Sequence, residues 1–140
     1  MKAKKSILPI LCFVFAIFVS SCSTKLNFLT SSVVPAAQGA VKVSKDSNKN
    51  YEINVKVENL ADPSRLQPKK DLYVVWLVTK DKVTKNIGRL NSSRGFFSGS
   101  LEGKLTTVSP VKPDHVFITA ENSADVQYPV GTVVLTTKGH

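Results

Sequence analysis

Leu72-Tyr-Val-Val-Trp-Leu-Val-Thr79 is apolar on nearly every side. The run is short for a buried helix and rich in β-branched and aromatic residues, so it reads as a central strand covered on both faces. Trp76, the sole tryptophan, reads as core and not as a ligand platform.

On the N-terminal side, Ala40-Val-Lys-Val-Ser-Lys45 alternates apolar and polar residues, and Asp46-Ser-Asn-Lys-Asn50 is a polar turn. Tyr51-Glu-Ile-Asn-Val-Lys-Val57 alternates again, with Tyr51, Ile53, Val55 and Val57 on one face, which predicts a hairpin of half-buried strands. Glu58 to Asp71 is an irregular connection containing Pro63 and Pro68, of the kind that crosses between sheets. On the C-terminal side come a charged turn at Lys80–Lys82, a strand from Val83 to Leu90 with Gly88 near its end, and a loop over Asn91–Gly95. Gly99 and Gly103 interrupt the next segment, where a short strand or hairpin is expected near Phe96–Leu105. Pro110 and Pro113 bracket a stiff connection; strands follow at His115–Glu121 and Gly131–Thr137, separated by a polar loop over Asn122–Pro129. No segment sustains a 3.6-residue period. The expected fold is all-β, an immunoglobulin-like two-sheet sandwich of about seven strands over residues 40–140.

The N-terminus has a different character. Met1-Lys-Ala-Lys-Lys5 is basic, Ile7 to Val19 is an apolar run of 13 residues, and Val19-Ser20-Ser21-Cys22 follows. The run suits a signal-peptide core and falls short of the ~20 residues that span a bilayer. Small side chains before Cys22 suit a peptidase cleft, and a thiol is the side chain nucleophilic enough to take a diacylglycerol thioether. Val19-Ser-Ser-Cys22 resembles the lipobox of bacterial lipoprotein precursors, with Ser21 standing where Gly or Ala is commoner; the Ser21-Cys22-Ser23 junction is similar to lipoproteins of the Bacteroidetes group. The resemblance implies cleavage after Ser21 and lipid on Cys22. An uncleaved membrane helix, which Pro9 and the shortness of the run disfavour, and an ordinary secretory signal with a chance cysteine are the alternatives. The expected organisation is a signal peptide over 1–21, a lipidated flexible tether over 22–39 (with a short strand at Asn27–Thr30), and the sandwich over 40–140.

Composition narrows the function. Removing 21 residues leaves 119 of 140, enough for one domain with a real core. Cys12 leaves with the signal and Cys22 carries the lipid, so neither a disulfide framework nor a cysteine-based zinc site is expected. Without Lys2, Lys4 and Lys5 the chain keeps 16 basic against 10 acidic residues, a net +6. Export argues against a nucleic-acid partner. Lysines such as Lys42, Lys45, Lys49, Lys56, Lys80, Lys82 and Lys85 alternate with apolar residues. They read first as the solvated face of a sheet, and second as a weak attraction to anionic lipid, lipopolysaccharide or acidic glycan.

Tyr73-Val-Val-Trp-Leu-Val78, Ile87-Gly88, Phe117-Ile-Thr-Ala-Glu121 and Tyr128-Pro-Val-Gly-Thr-Val-Val-Leu135 together resemble the extracytoplasmic domain of anti-sigma-K factors, over about Leu72 to Lys138. The matching motifs mark strands and turns and name no site. Such factors hold sigma through a cytoplasmic domain joined by a transmembrane helix. Neither is visible in this sequence, so the resemblance implies a sensing or scaffolding module outside the cytoplasm. Pro129 and Gly131 are expected to aim the last strand back along the Phe117 strand. Glu121 is expected to accept backbone N–H bonds from the Asn122–Gln127 loop, a structural role and not a catalytic one.

Residues for catalysis are sparse. His115 and His140 make no metal-ligand spacing and no base–orienter pair. Phe97-Ser-Gly-Ser-Leu101 is a turn, not a nucleophile elbow, and no phosphate loop or dinucleotide fingerprint occurs. Asp46, Asp62, Asp81 and Asp125 sit singly at turns, which excludes a calcium loop. Arg65, Arg89 and Arg94 are candidates to grip an anionic partner, with surface solubility as the plainer reading. The expectation is a non-enzymatic binding or scaffold lipoprotein with no cofactor and no metal. It would be held by lipid on Cys22, at the periplasmic face of the outer membrane, and meet another envelope protein. The alternatives are a sensory accessory of an envelope-stress anti-sigma system and an envelope enzyme acting on glycan or lipid.

Overall fold

The computed structural model describes residues 22–95 and 99–139. The expected signal peptide, with Ser21, lies outside the described residues, as do residues 96–98 and His140. Nine strands are present among the described residues: β1 (Ser23–Asn27), β2 (Gln38–Lys45), β3 (Tyr51–Leu60), β4 (Leu72–Val78), β5 (Thr84–Arg89), β6 (Asn91–Arg94), β7 (Leu101–Ser109), β8 (His115–Glu121) and β9 (Val133–Thr136). They form two antiparallel sheets, ordered β1-β2-β3-β7-β6 and β5-β4-β8-β9. The order β2-β3-β7-β6 against β4-β8-β9 is that of a constant-type immunoglobulin sandwich. The two strands beyond the expected seven are β1, outside β2, and β6, outside β7.

Alternation builds the core. Val41, Val43, Ile53, Val55 and Val57 point inward from the five-stranded sheet and meet Tyr73, Val75, Leu77, Val116, Ile118 and Ala120 of the other. The predicted hairpin is β2–β3, with Lys45 opposite Tyr51. Its turn is held by Asp46, whose Oδ1 accepts from the Asn48 and Asn50 amides at 2.8 and 2.9 Å. The link from β3 to β4 crosses between sheets through a 3₁₀ turn at Pro63–Arg65, capped by Asp62. Central β4 lies between β5 and β8, and Tyr73 to Val78 are all buried.

Two expectations fail. Residues 22–39 are not a flexible tether. Ser23–Asn27 pairs with Ala40–Ser44 along its whole length, displacing the strand expected at Asn27–Thr30, and Leu26, Ser31, Val34 and Ala37 are buried. Ser31 ties the segment across the sandwich: its hydroxyl donates to the Val134 carbonyl at 2.6 Å and accepts from the Val34 amide at 2.9 Å. The Leu29 amide then donates to the Thr136 carbonyl at 2.9 Å, joining the β1 side of one sheet to β9 of the other. Asn91–Arg94 is a strand and not a loop: all four residues are exposed, and it is held by pairing with β7. In β7 itself Gly103 is needed, because a Cβ there would lie 2.3 Å from Leu90 Cδ2.

Candidate functional site

Cys22 is exposed and stands one residue before β1. No arm separates it from the fold, since Ser23 is already opposite Ser44. The outer face of the five-stranded sheet begins there. Register places Lys25 opposite Lys42 across β1–β2, and Lys56 opposite Lys104 across β3–β7. The intervening residues Leu26, Val41, Val43, Val55 and Val57 are buried, so all four lysines point outward together. Lys56 meets Glu58 at 3.3 Å. Among the described residues Lys25, Lys42 and Lys104 form no ion pair with a carboxylate. Lys25, Lys42 and Lys56 rim a depression of about 790 Å³ that also takes in Gly39, Ala40 and Phe28. Sequence reading singled out Lys42 and Lys56 but neither partner; the parity of the alternation was the available signal, and the register was not.

The outer face of the other sheet is built differently. Trp76 is fully buried, yet it lies outside the core cluster between the sheets. It faces outward beside Phe117, their rings stacked at 6.1 Å, and Asn86 stands opposite it on β5. The Asn122–Thr132 segment crosses this face, and Asn86 Nδ2 donates to the Ala124 and Val126 carbonyls at 2.9 Å each. Beneath it runs a buried polar chain. Trp76 Nε1 donates to Thr119 Oγ1 at 2.8 Å, and Thr119 Oγ1 donates to Glu121 Oε1 at 2.7 Å. Glu121 then accepts from the Val130 and Gly131 amides at 3.1 and 3.0 Å. The carboxylate therefore has the structural role expected of it, with different donors: they come from the far end of the loop and not from Asn122–Gln127. Held at both ends, the loop carries Tyr128 between its two ties and Val130 at the Glu121 tie, each 78% exposed.

A third cluster corrects the reading of His115. Its Nδ1 lies 2.9 Å from Asp114 Oδ2, so an orienter stands beside it in sequence. Lys82 Nζ is 3.5 Å from the same oxygen. The His115 hydrogen bond, with Lys82 nearby, holds the Asp114 carboxyl below its ordinary pKa. Asp114 also borders a cleft of about 510 Å³ with Thr79, Lys80 and Lys112. Among the described residues no serine, threonine or cysteine hydrogen-bonds to His115, so the pair is not completed into a nucleophile–base–orienter set. No three His, Cys, Asp or Glu side chains among the described residues converge as metal ligands. Of the three arginines, Arg94 is engaged by Asp62 at 3.6 Å; Arg65 and Arg89 are exposed.

No protein-family model, curated protein or solved structure matches the chain.

Proposed function

We propose that the protein is a lipid-anchored, non-enzymatic binding module of a bacterial cell envelope, held by acylated Cys22 and meeting a protein partner through the Asn122–Thr132 loop. The single observation that carries the partner half is the loop itself. Tyr128 and Val130 are exposed on a segment fixed at one end by Glu121 and at the other by Asn86. A rigid exposed aromatic is an efficient contact residue, because little conformational entropy is lost when it is covered. What supports the anchor half is the Val19-Ser-Ser-Cys22 pattern behind a basic and apolar leader, with all nine described strands following Cys22.

The test is photo-crosslinking in cells from a benzophenone amino acid placed at position 128, with a second probe at exposed Lys49 as the control. The proposal expects a discrete crosslinked envelope protein from position 128 and none from position 49. Equal, diffuse labelling from both positions would contradict it. Capture of a membrane-spanning regulator would narrow the module to the sensory role.

A further inference from the structure

We infer that the lysine-bearing outer face of the five-stranded sheet is a membrane-docking surface that takes the phosphate headgroups of anionic phospholipids. The first argument is electrostatic. Like charges directly opposite on neighbouring strands destabilise a sheet, and this face holds two such pairs, Lys25–Lys42 and Lys56–Lys104. The acidic residues of the face do not relieve them all. Glu58 is taken by Lys56 at 3.3 Å, Glu52 accepts from Asn54 Nδ2 at 2.7 Å, and Glu102 lies towards β6, opposite Ser93. A layer of phosphates laid against the face supplies the missing counter-charge.

The second argument is shape. The depression of about 790 Å³ is low where Gly39 and Ala40 stand and is rimmed by Lys25, Lys42 and Lys56. Gly39 is confined to glycine, since a Cβ would fall 2.1 Å from the Lys56 carbonyl oxygen. The third is continuity with the anchor. Lys25 follows Cys22 by three residues of extended chain, roughly 10 Å. An 18-residue flexible arm would let the domain hover; β1, paired from Ser23 onward, does not. Lipid on Cys22 thus brings Lys25 and Lys42 to the headgroup layer. The Tyr128 loop crosses the outer face of the opposite sheet, so the same pose turns it away from the membrane.

The cellular setting of this inference rests on the reading of Cys22 as the lipidated residue, but its test does not. The chain from Cys22 to His140, which holds all nine described strands, is prepared without lipid and sedimented with vesicles. One set is phosphatidylcholine alone; the other is one-third phosphatidylglycerol. Binding is expected only to the second set and is lost in molar salt. Lys25→Gln with Lys42→Gln lowers the partition coefficient about 30-fold, from the usual contribution of a lysine near an anionic surface. The same double variant unfolds at no lower temperature than the parent, because a like-charge pair has been removed. Lys80→Gln with Lys85→Gln, which removes the same charge elsewhere, leaves binding within about threefold. Equal binding to both vesicle sets, or equal loss in both double variants, would overturn the inference. Lipid on Cys22 in cells is read separately by mass, so failure of either claim shows on its own.

Discussion

The Gly131 amide reaches both oxygens of the Glu121 carboxylate, at 3.0 Å each. The approach is close because Gly131 has no side chain: a Cβ there would lie 1.6 Å from the Ala120 carbonyl oxygen. One contact therefore fixes where the loop over Trp76 ends and where β9 begins.

Replacing Glu121 by alanine leaves the Thr119 hydroxyl and the Val130 and Gly131 amides without their acceptor. The expected loss is about 2–4 kcal/mol, since each orphaned donor costs about 1–3 and some regain water as the loop loosens. Urea unfolding measures it. Amide exchange at positions 130 and 131 should accelerate more than exchange in β3.

Gly131→Ala and Gly99→Ala separate space from backbone conformation. Gly131 meets the Ala120 backbone, and relief needs a shift of β8 or β9; the expected cost is about 3 kcal/mol or more. Gly99 has φ +64 but nothing within 4 Å of a Cβ, so alanine there should cost only about 1 kcal/mol. Thermal unfolding of the two variants side by side gives the comparison.

Asn86→Ala cuts the second tie of the loop, two bonds of 2.9 Å to Ala124 and Val126. Trp76, the sole tryptophan and fully buried, reports the opening. Acrylamide should quench its fluorescence more strongly in the variant, with a stability loss of about 1–2 kcal/mol.

Tyr73 sets an alkaline limit. Burial, with the Asp62 charge nearby, pushes its hydroxyl up to about 12, and the hydroxyl donates to the Ala61 carbonyl at 2.8 Å. A raised folded pKa means that the folded state holds the proton longer. The contribution is fully present below pH ~10 and is lost as pH rises from there towards 12, amounting to roughly 2–3 kcal/mol. Tyr73→Phe should flatten that part of the stability curve relative to the parent.

Asp114 works at the other end of the scale. Its carboxyl is held low chiefly by the His115 hydrogen bond and also by Lys82. A depressed folded pKa contributes above the unfolded carboxylate value, ~3.9, and is lost as pH falls below it. Asp114→Asn should make the acid limb of urea midpoint against pH shallower, with the difference vanishing at the lowest pH.

What the sequence discloses follows from how each element is stabilised. Leu72–Thr79 is legible because burial on both faces demands an unbroken apolar run, and the register of β2–β3 follows from alternation and the Asp46 turn. His115–Glu121 coincides with β8 for the same reason. By contrast, β1 buries Leu26 alone and β6 buries nothing, so neither has a hydrophobic period to read. Their stability comes from backbone pairing, which any polar sequence can supply.

The candidate sites were hidden in the same way. The cover over Trp76 is made of Ala124 and Val126 carbonyls and the Val130 and Gly131 amides, groups that every residue carries. Lys25 and Lys104 are 79 residues apart, and only the sheet order places them on one face with Lys42 and Lys56. The reading of Cys22 as the anchored residue rests on the Val19-Ser-Ser-Cys22 pattern and the chain before it, and on nothing in the fold.

The central claim is that this sandwich hangs from lipid on Cys22, and intact-mass and N-terminal peptide mass spectrometry of the membrane-bound protein tests it most directly. The account predicts a chain beginning at Cys22 and carrying a diacylglyceryl thioether. A chain that retains Met1, or one that begins at an unmodified Cys22, would contradict it.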